Sequence, residues 1–189
     1  MSKFLSTLSL VASIFLTYAA SSCTGSVPVT QFTSPPDAAC RIDELGRADG
    51  HCTPGKVAQT PDVLSDAPTY RHTLCAPSDG NPATETWVQA RRPPTSYTNR
   101  LKTTQMRQYG LITPDGAVMP LGSVEEDHII PLALDGDPQS PLNLYPQPWN
   151  GTYGAHEKDK DERRLWRAVC SGTLTLEQAQ AEIVREWVR

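Results

Sequence analysis

The chain has 189 residues, of which 38% are hydrophobic, and carries 17 Lys and Arg against 21 Asp and Glu, a formal net charge of −4. This balance excludes a protein that binds nucleic acid through bulk positive charge, so any such binding needs a local basic patch. Once a targeting segment is set aside, the remaining length suits one domain of about 140 residues.

The N-terminal residues have the pattern of a secretory signal. Lys3 precedes the uncharged run FLSTLSLVASIFLTYAA, and small residues follow it. The run is short for a transmembrane helix and is broken by Ser and Thr, so we predict a signal peptide over 1–22 and an exported protein, either secreted or periplasmic. The exit sequence ASSC also resembles a bacterial lipobox. This leaves two alternatives, ordinary cleavage or a membrane tether through a lipid on Cys23.

Composition then divides the rest of the chain. Residues 23–38 are rich in Ser, Thr and Pro, which predicts a linker and leaves 39–189 as the folded domain. An oxidising compartment permits disulfides, and the four cysteines beyond Cys23 allow three pairings. One pairs Cys40 with Cys52 and Cys75 with Cys170, and another contains Cys52–Cys75. The Pro- and Gly-rich stretch 39–83 predicts a disulfide-tied segment that is irregular or short-stranded.

A basic segment follows. The stretch between Trp87 and Pro114 has no acidic residue. Within it we predict a helix over 97–109, capped by Ser96 or Thr98 and ended by Gly110. The basic side chains form either a solvated helix face or a surface that contacts the phosphates of a nucleic acid. These residues are Arg91, Arg92, Arg100, Lys102 and Arg107.

The C-terminal half predicts the order strand, loop, strand, helix, helix. The first strand covers 124–132 and turns at Pro131, and the second covers 142–145 and is broken by the prolines that follow it. A helix over 155–169 is ended by Gly172. The capping box T-x-x-Q at Thr175 starts a final helix, whose apolar face carries Leu176, Ala179, Ile183 and Trp187. The expected fold class is α+β.

The sequence DHIIPL at 127–132 is followed, 15 residues after its His, by Asn143-Leu144 and then by a helix. This arrangement resembles the HNH (His-Me finger) endonuclease family. Other stretches resemble small exported bacterial HNH-like proteins, and they are CTPG at 52–55, RPP at 92–94, SYTNRLK at 96–102, YGL at 109–111 and KDxxE at 158–162. The resemblance covers residues 52–187. It implies a β-β-α metal core with additional helices and a disulfide-tied N-terminal segment.

The resemblance also implies residue roles that suit phosphodiester hydrolysis. His128 would be the general base, since histidine takes a proton from water near neutral pH. Asp127 would bind a divalent metal ion, Mg²⁺ in the first place with Mn²⁺, Ni²⁺ or Zn²⁺ as alternatives. Asn143 would hold the loop and orient the histidine. Because adjacent strand residues face opposite sides, Asp127 and His128 reach one ion only if the strand ends or bulges there.

The third position of the motif departs from the family pattern, because Gly151 and Thr152 stand where His or Asn is usual. Helical periodicity places Lys158, Asp159 and Glu162 on the side that faces the core. We predict Asp159 as the second metal ligand, with Glu162 next. The remaining candidates are Asn150, His156 as a further metal ligand, and Lys158 as a phosphate or structural contact. Each acid has the alternative role of capping the helix or pairing with Arg, and Glu125 and Glu126 are expected to be surface charges.

Two functions remain open at this point. The first is a metal-dependent endonuclease that cuts DNA or RNA with low sequence specificity and holds the backbone with its basic segment. The second is a non-catalytic exported protein that keeps the HNH scaffold and binds nucleic acid or an envelope partner. The missing standard third position favours the second function.

Overall fold

A computed structural model describes residues 38–58, 75, 82 and 86–189. The predicted signal peptide (1–22), Cys23 and the predicted linker up to residue 37 lie outside the described residues. The fold is mixed α+β, as predicted, with four helices and a two-stranded antiparallel sheet in the part described. In that part, no helix combines the length and the apolar character needed to cross a bilayer.

The elements follow the predicted order. Two helices precede the sheet, and two follow it. In chain order the elements are α1 (Thr86–Arg91), α2 (Thr95–Gln108), β1 (Val124–His128), β2 (Leu144–Pro148), α3 (Ala155–Cys170) and α4 (Leu176–Trp187). Helix α2 packs against both strands, and α3 packs against α4.

Both strands differ in extent from the prediction. Strand β1 ends at His128, and β2 begins at Leu144 and runs through Pro146 and Pro148. The two strands pair from Val124 opposite Pro148 to His128 opposite Leu144. The prolines are tolerated because they lie two residues apart and so direct their missing N–H groups to the same outer edge of a two-stranded sheet.

The helix predictions hold closely. Helix α2 covers the predicted segment within two residues at each end, and Gly110 has the left-handed φ of 67° expected just beyond a helix. Its predicted side-chain cap was wrong, because α2 follows Pro94 and no side chain caps it. Thr175 and Gln178 form the predicted capping box of α4. All four residues of the predicted apolar face of α4 are buried.

Two disulfides tie the domain together, and they realise one of the pairings that the sequence left open. Cys40–Cys52 closes a short loop in the N-terminal segment, whereas Cys75–Cys170 joins residues 95 apart at the C-terminal end of α3. A crosslink restricts the unfolded chain more when the loop it closes is longer.

We expect the double variant Cys75→Ser/Cys170→Ser to lose about 2–4 kcal/mol of unfolding free energy. The matched variant Cys40→Ser/Cys52→Ser should lose less, because its loop spans only 12 residues. Chemical denaturation followed by tryptophan fluorescence measures both losses. An equal or larger loss in the short-loop variant would contradict the loop-length argument.

Candidate active site

Strand β1 and helix α3 enclose a polar cavity of about 240 Å³. We call it the acidic pocket, and the polar side chains lining it are Arg92, Glu125, Asp127, His128, Asp159 and Glu162. Glu125 and Asp127 share one face of the strand because side chains alternate with a period of two. Asp159 and Glu162 share one face of the helix because they are three residues apart. The fold therefore brings four carboxylates and an imidazole together from two sequence segments.

His128 is almost fully buried, with 8% of its surface exposed. Its Nε2 lies 3.1 Å from the carbonyl oxygen of Pro138. Since a carbonyl only accepts hydrogen bonds, Nε2 carries the proton, which leaves Nδ1 able to accept one. Burial lowers the pKa of His128 below its ordinary value, against the opposing effect of Asp127. The imidazole is therefore neutral at neutral pH, as a general base must be.

The neighbouring positions of Asp127 and His128 posed a geometric difficulty that the end of β1 removes. His128 is the last residue of the strand, and both side chains line the acidic pocket. The predicted condition, a strand that ends at this point, is met. After it, the chain turns through a short 3-10 segment at Leu132–Leu134.

Asn143 fastens the loop that follows the histidine. Its side-chain oxygen accepts hydrogen bonds from the backbone N–H groups of Lys56 and Ile130, and its Nδ2 donates to the carbonyls of Ile130 and Asp137, each at 3.0 Å. The residue is fully buried. No hydrogen bond joins it directly to His128 among the described contacts. It holds Asp137, whose neighbour Pro138 accepts the bond from the imidazole, so it acts on the histidine through the loop.

Glycine is required inside this loop at Gly136. A Cβ atom there would lie 1.7 Å from the carbonyl oxygen of Ile130 and 2.9 Å from the Asn143 amide nitrogen. The preceding residue, Asp135, adopts a left-handed conformation with φ of 56°. This close packing of the loop backbone against the backbone of Ile130 helps to hold the Pro138 carbonyl within hydrogen-bond distance of His128 Nε2.

Lys158 is the most unusual residue of the site, because its ammonium group is completely buried. It lies 2.8 Å from Asp127 Oδ2, 2.5 Å from Glu162 Oε1 and 2.6 Å from the carbonyl oxygen of His128. Burial alone lowers the pKa of Lys158, but the two carboxylates outweigh it and hold that pKa well above the ordinary value. All three ammonium protons are used. Lys158 is thus a structural contact, and the alternative of a phosphate contact does not fit.

The acids of the pocket repel one another. Burial raises the pKa of Glu125, and the charges of Asp127, Asp159 and Glu162 raise it further. Burial also raises the pKa of Glu162 and that of Asp159, and Asp127 adds to both shifts. Four carboxyl groups thus share the pocket with the ammonium of Lys158 and the guanidinium of Arg92, and the raised pKa values of Glu125, Asp159 and Glu162 mean that a bound proton or a further cation stabilises this group of acids.

The expectation that Glu125 and Glu126 are surface charges was wrong. Glu125 lines the acidic pocket, and both carboxylate oxygens of Glu126 are buried without a hydrogen-bond partner in the described structure. Burial raises the pKa of Glu126 to about 8, although the charge of Lys102 opposes the shift. The strand period of two could have identified Glu125, because it precedes Asp127 by two residues.

A divalent metal ion fits this donor set in a limited way. No three His, Cys, Asp or Glu side chains of the described residues converge closely enough to hold an ion by themselves. Mg²⁺ is commonly held by one or two carboxylates, however, while water and substrate phosphate complete its shell. Asp127 and Asp159 line the pocket and are the oxygen donors that would hold such an ion.

The other two predicted metal ligands fit less well. Glu162 lines the pocket, but it is bound to Lys158. His156 is exposed and does not line the pocket. Its ring lies against Trp149 instead, with 5.6 Å between ring centroids. Residue 156 is therefore not brought into the site, which corrects the sequence-based choice of ligands.

No protein-family model, curated protein or solved structure matches the chain. The resemblance to HNH endonucleases therefore rests on the motif residues of the sequence.

Some residues of the predicted basic surface are exposed, whereas Lys102 is buried. Arg92 is exposed and lines the acidic pocket, Arg91 is half-buried, and Arg100 and Arg107 are exposed on α2. Lys102 is buried, and its Nζ donates hydrogen bonds to the carbonyls of Leu121 and Val124 at 2.9 Å each. Lys102 therefore anchors the start of β1 to α2 and is not available to a phosphate, contrary to its predicted role.

Proposed function

We propose that this protein is a metal-dependent endonuclease that hydrolyses phosphodiester bonds in DNA or RNA with low sequence specificity. The observation that carries the proposal is the placement of a neutral, buried His128, with Nδ1 able to accept a proton, in one cavity with the carboxylates of Asp127 and Asp159. Hydrolysis of a phosphodiester needs an activated water molecule and compensation of developing negative charge, and this cavity contains groups for both. We further propose that β1, β2 and α3 form an HNH-type β-β-α core.

Each residue has a distinct role in this proposal. His128 takes the proton from the attacking water through Nδ1, while the Pro138 carbonyl holds the opposite ring nitrogen. Asn143 fixes the loop that presents that carbonyl. Arg92, exposed at the mouth of the pocket, binds a phosphate oxygen of the substrate. Arg100 and Arg107 contribute longer-range attraction to the backbone, which salt should weaken.

Asp127 and Asp159 would hold the divalent ion. When bound, the ion supplies compensation for the negative charge that develops on the phosphate, and Mg²⁺ suits the all-oxygen donor pair. Lys158 holds Asp127 Oδ2, which leaves Oδ1 of Asp127 for the ion. Glu162 serves as the counterion of Lys158 rather than as a ligand.

A non-catalytic exported binding protein is the second candidate. It is favoured by the fact that the described His, Cys, Asp and Glu residues form no three-ligand group and that an ammonium group already bridges two of the acids. Under this alternative the acidic pocket would be a structural remnant, and nucleic acid or an envelope partner would bind without being cut.

Export remains part of the proposal. Two disulfides suit an oxidising compartment, which is consistent with a secreted or periplasmic protein. Whether Cys23 carries a lipid that tethers the protein to a membrane is decided by mass spectrometry of the mature N-terminus.

The decisive experiment is a cleavage assay on plasmid DNA, single-stranded DNA and RNA. We expect cutting with Mg²⁺ or Mn²⁺ and none after chelation with EDTA, with activity restored when the metal is added back. Ni²⁺ and Zn²⁺ are assayed in parallel to rank the metals. Intact substrates in every metal, with a folded protein by circular dichroism, would reject the enzyme and favour the binding protein.

A further inference from the structure

A second cavity, also of about 240 Å³, adjoins the acidic pocket at His128. We call it the Trp149 pocket. The two cavities have Arg92, Glu125 and His128 in common. The lining that belongs to the second cavity alone comes from Pro93, from α2 as far as Lys102, from Glu126 and from the indole that follows β2. If a substrate phosphate lies at His128, the adjacent nucleotide of the same nucleic-acid strand lies beside this cavity.

The Trp149 pocket combines an aromatic ring with polar groups. The Trp149 indole is half-buried, and its Nε1–H donates to the carbonyl of Gly122 at 2.9 Å. This bond fixes the ring at one edge, and His156 packs against the ring with 5.6 Å between ring centroids, so the part of the indole that lines the cavity is held in place. Thr98 and Asn99 also line the cavity. The Thr98 hydroxyl donates to the carbonyl of Thr95 and can accept a further hydrogen bond, and the Asn99 amide can donate or accept one.

These features suit a nucleobase. A base presents a flat π-face for stacking and a polar edge for hydrogen bonds, and stacking on aromatic side chains tolerates every base. The exposed guanidinium of Arg92 lies at the boundary of the two cavities, where the connecting phosphate would pass. Among the described residues, no aromatic side chain lines the acidic pocket, and Tyr97 on α2 donates its hydroxyl to the carbonyl of Gln139.

We infer that the Trp149 pocket is a nucleotide subsite that binds an unpaired base next to the scissile phosphate. The inference rests on the proposed nuclease function and narrows its substrate to single-stranded DNA or RNA. Bases inside a duplex are stacked and paired, so a base enters a cavity only from a single strand or after it has been flipped out. A base-paired duplex of the same sequence is therefore a poorer substrate than the single strand.

The test compares one fluorescent oligonucleotide with its complementary duplex, on the wild type and on Trp149→Leu. We expect the wild type to prefer the single strand. We expect Trp149→Leu to raise KM for the single strand by at least about fivefold with little change in kcat, since it removes one stacked base. Trp149→Phe keeps a ring but lacks the indole N–H, and it should retain most of the affinity. Thermal unfolding of each variant verifies that the fold survives.

Binding without cleavage separates this inference from the proposed function. Fluorescence anisotropy in EDTA measures binding of the single strand without cleavage. We expect a lower affinity for Trp149→Leu than for the wild type, and an affinity close to that of the wild type for Trp149→Phe. If no metal supports cleavage but this binding pattern holds, the nuclease proposal fails and the Trp149 pocket stands as a site that binds an unpaired base. If cleavage occurs but Trp149→Leu binds single strand and duplex as the wild type does, the subsite is overturned.

Discussion

Replacing His128 with alanine should lower kcat for phosphodiester cleavage by about 10²–10⁴-fold, the usual contribution of a positioned general base. KM should change little, because Arg92, Trp149 and the acids of the pocket remain. The lost hydrogen bond to Pro138 should cost about 0.5–1.5 kcal/mol of unfolding free energy, and the cavity left by the almost fully buried ring adds to that loss. Steady-state cleavage of a labelled oligonucleotide in Mg²⁺ measures the rate, and chemical denaturation measures the stability.

His51→Ala is the matched control. His51 is exposed in the N-terminal segment, and its backbone N–H donates to the Asp49 side chain. The same substitution there should leave kcat and the unfolding free energy at wild-type values. If His128→Ala retained more than a tenth of wild-type kcat, another group would have to take the proton, and the proposed role of the imidazole would be wrong.

The local elements could be read from the sequence because local rules decide them. The capping box at Thr175, Gly110 beyond α2 and the apolar spacing on α4 each specify a boundary or a face within a few residues. The extent of β2 could not be read in this way. The prolines predicted a break, but the sheet in the described part of the chain has two strands, and its outer edge accepts Pro146 and Pro148.

Tertiary contacts decided what the sequence could not settle within the site. The sequence predicted Asp127, His128 and the polar turn of α3 as one group, and the acidic pocket does contain Asp127, His128, Asp159 and Glu162. Glu125 was missed because three successive acids look like a solvated strand. Lys102 was assigned to the surface because it belongs to a basic stretch, yet two carbonyls near β1 bind it inside the protein.

The two burial errors have one physical origin. Charged side chains are seldom fully buried unless they are paired, so sequence composition assigns them to solvent by default. Here the sheet packs against charged faces of α2 and α3, and each buried cation finds backbone or carboxylate oxygens. Lys158, by contrast, was predicted on the core-facing side of its helix, and the three-dimensional structure adds its pairing with Asp127 and Glu162.

That pairing makes Lys158→Met the variant with the largest expected loss of stability. Methionine nearly matches the length of the side chain but leaves the half-buried acids Asp127 and Glu162 facing each other without a cation. Removing one partner of a buried ion pair typically costs about 3–5 kcal/mol. The His128 carbonyl also loses its hydrogen bond. Chemical denaturation at neutral pH should therefore give a reduction of about 3–5 kcal/mol.

The pH dependence and a compensating substitution separate electrostatics from packing. Burial already raises the pKa of Glu162 in the folded protein, and Lys158 opposes that rise. Without the ammonium the folded-state pKa moves higher still, so the acid binds its proton more tightly folded than unfolded. Stability of the variant is then greatest below the ordinary carboxyl pKa and falls as pH rises toward the shifted value. Lowering the pH from 8 to 5 should recover part of the loss.

Lys158→Met/Glu162→Leu should be more stable than Lys158→Met alone, because it removes one of the two acids left without a counterion. Packing alone predicts the opposite, since the second substitution changes another side chain in a crowded pocket. A double variant that is no more stable than the single one, together with a loss that does not vary with pH, would mean that Lys158 only fills space. The three contacts of its ammonium group would then have no energetic weight in positioning Asp127 and the carbonyl of His128.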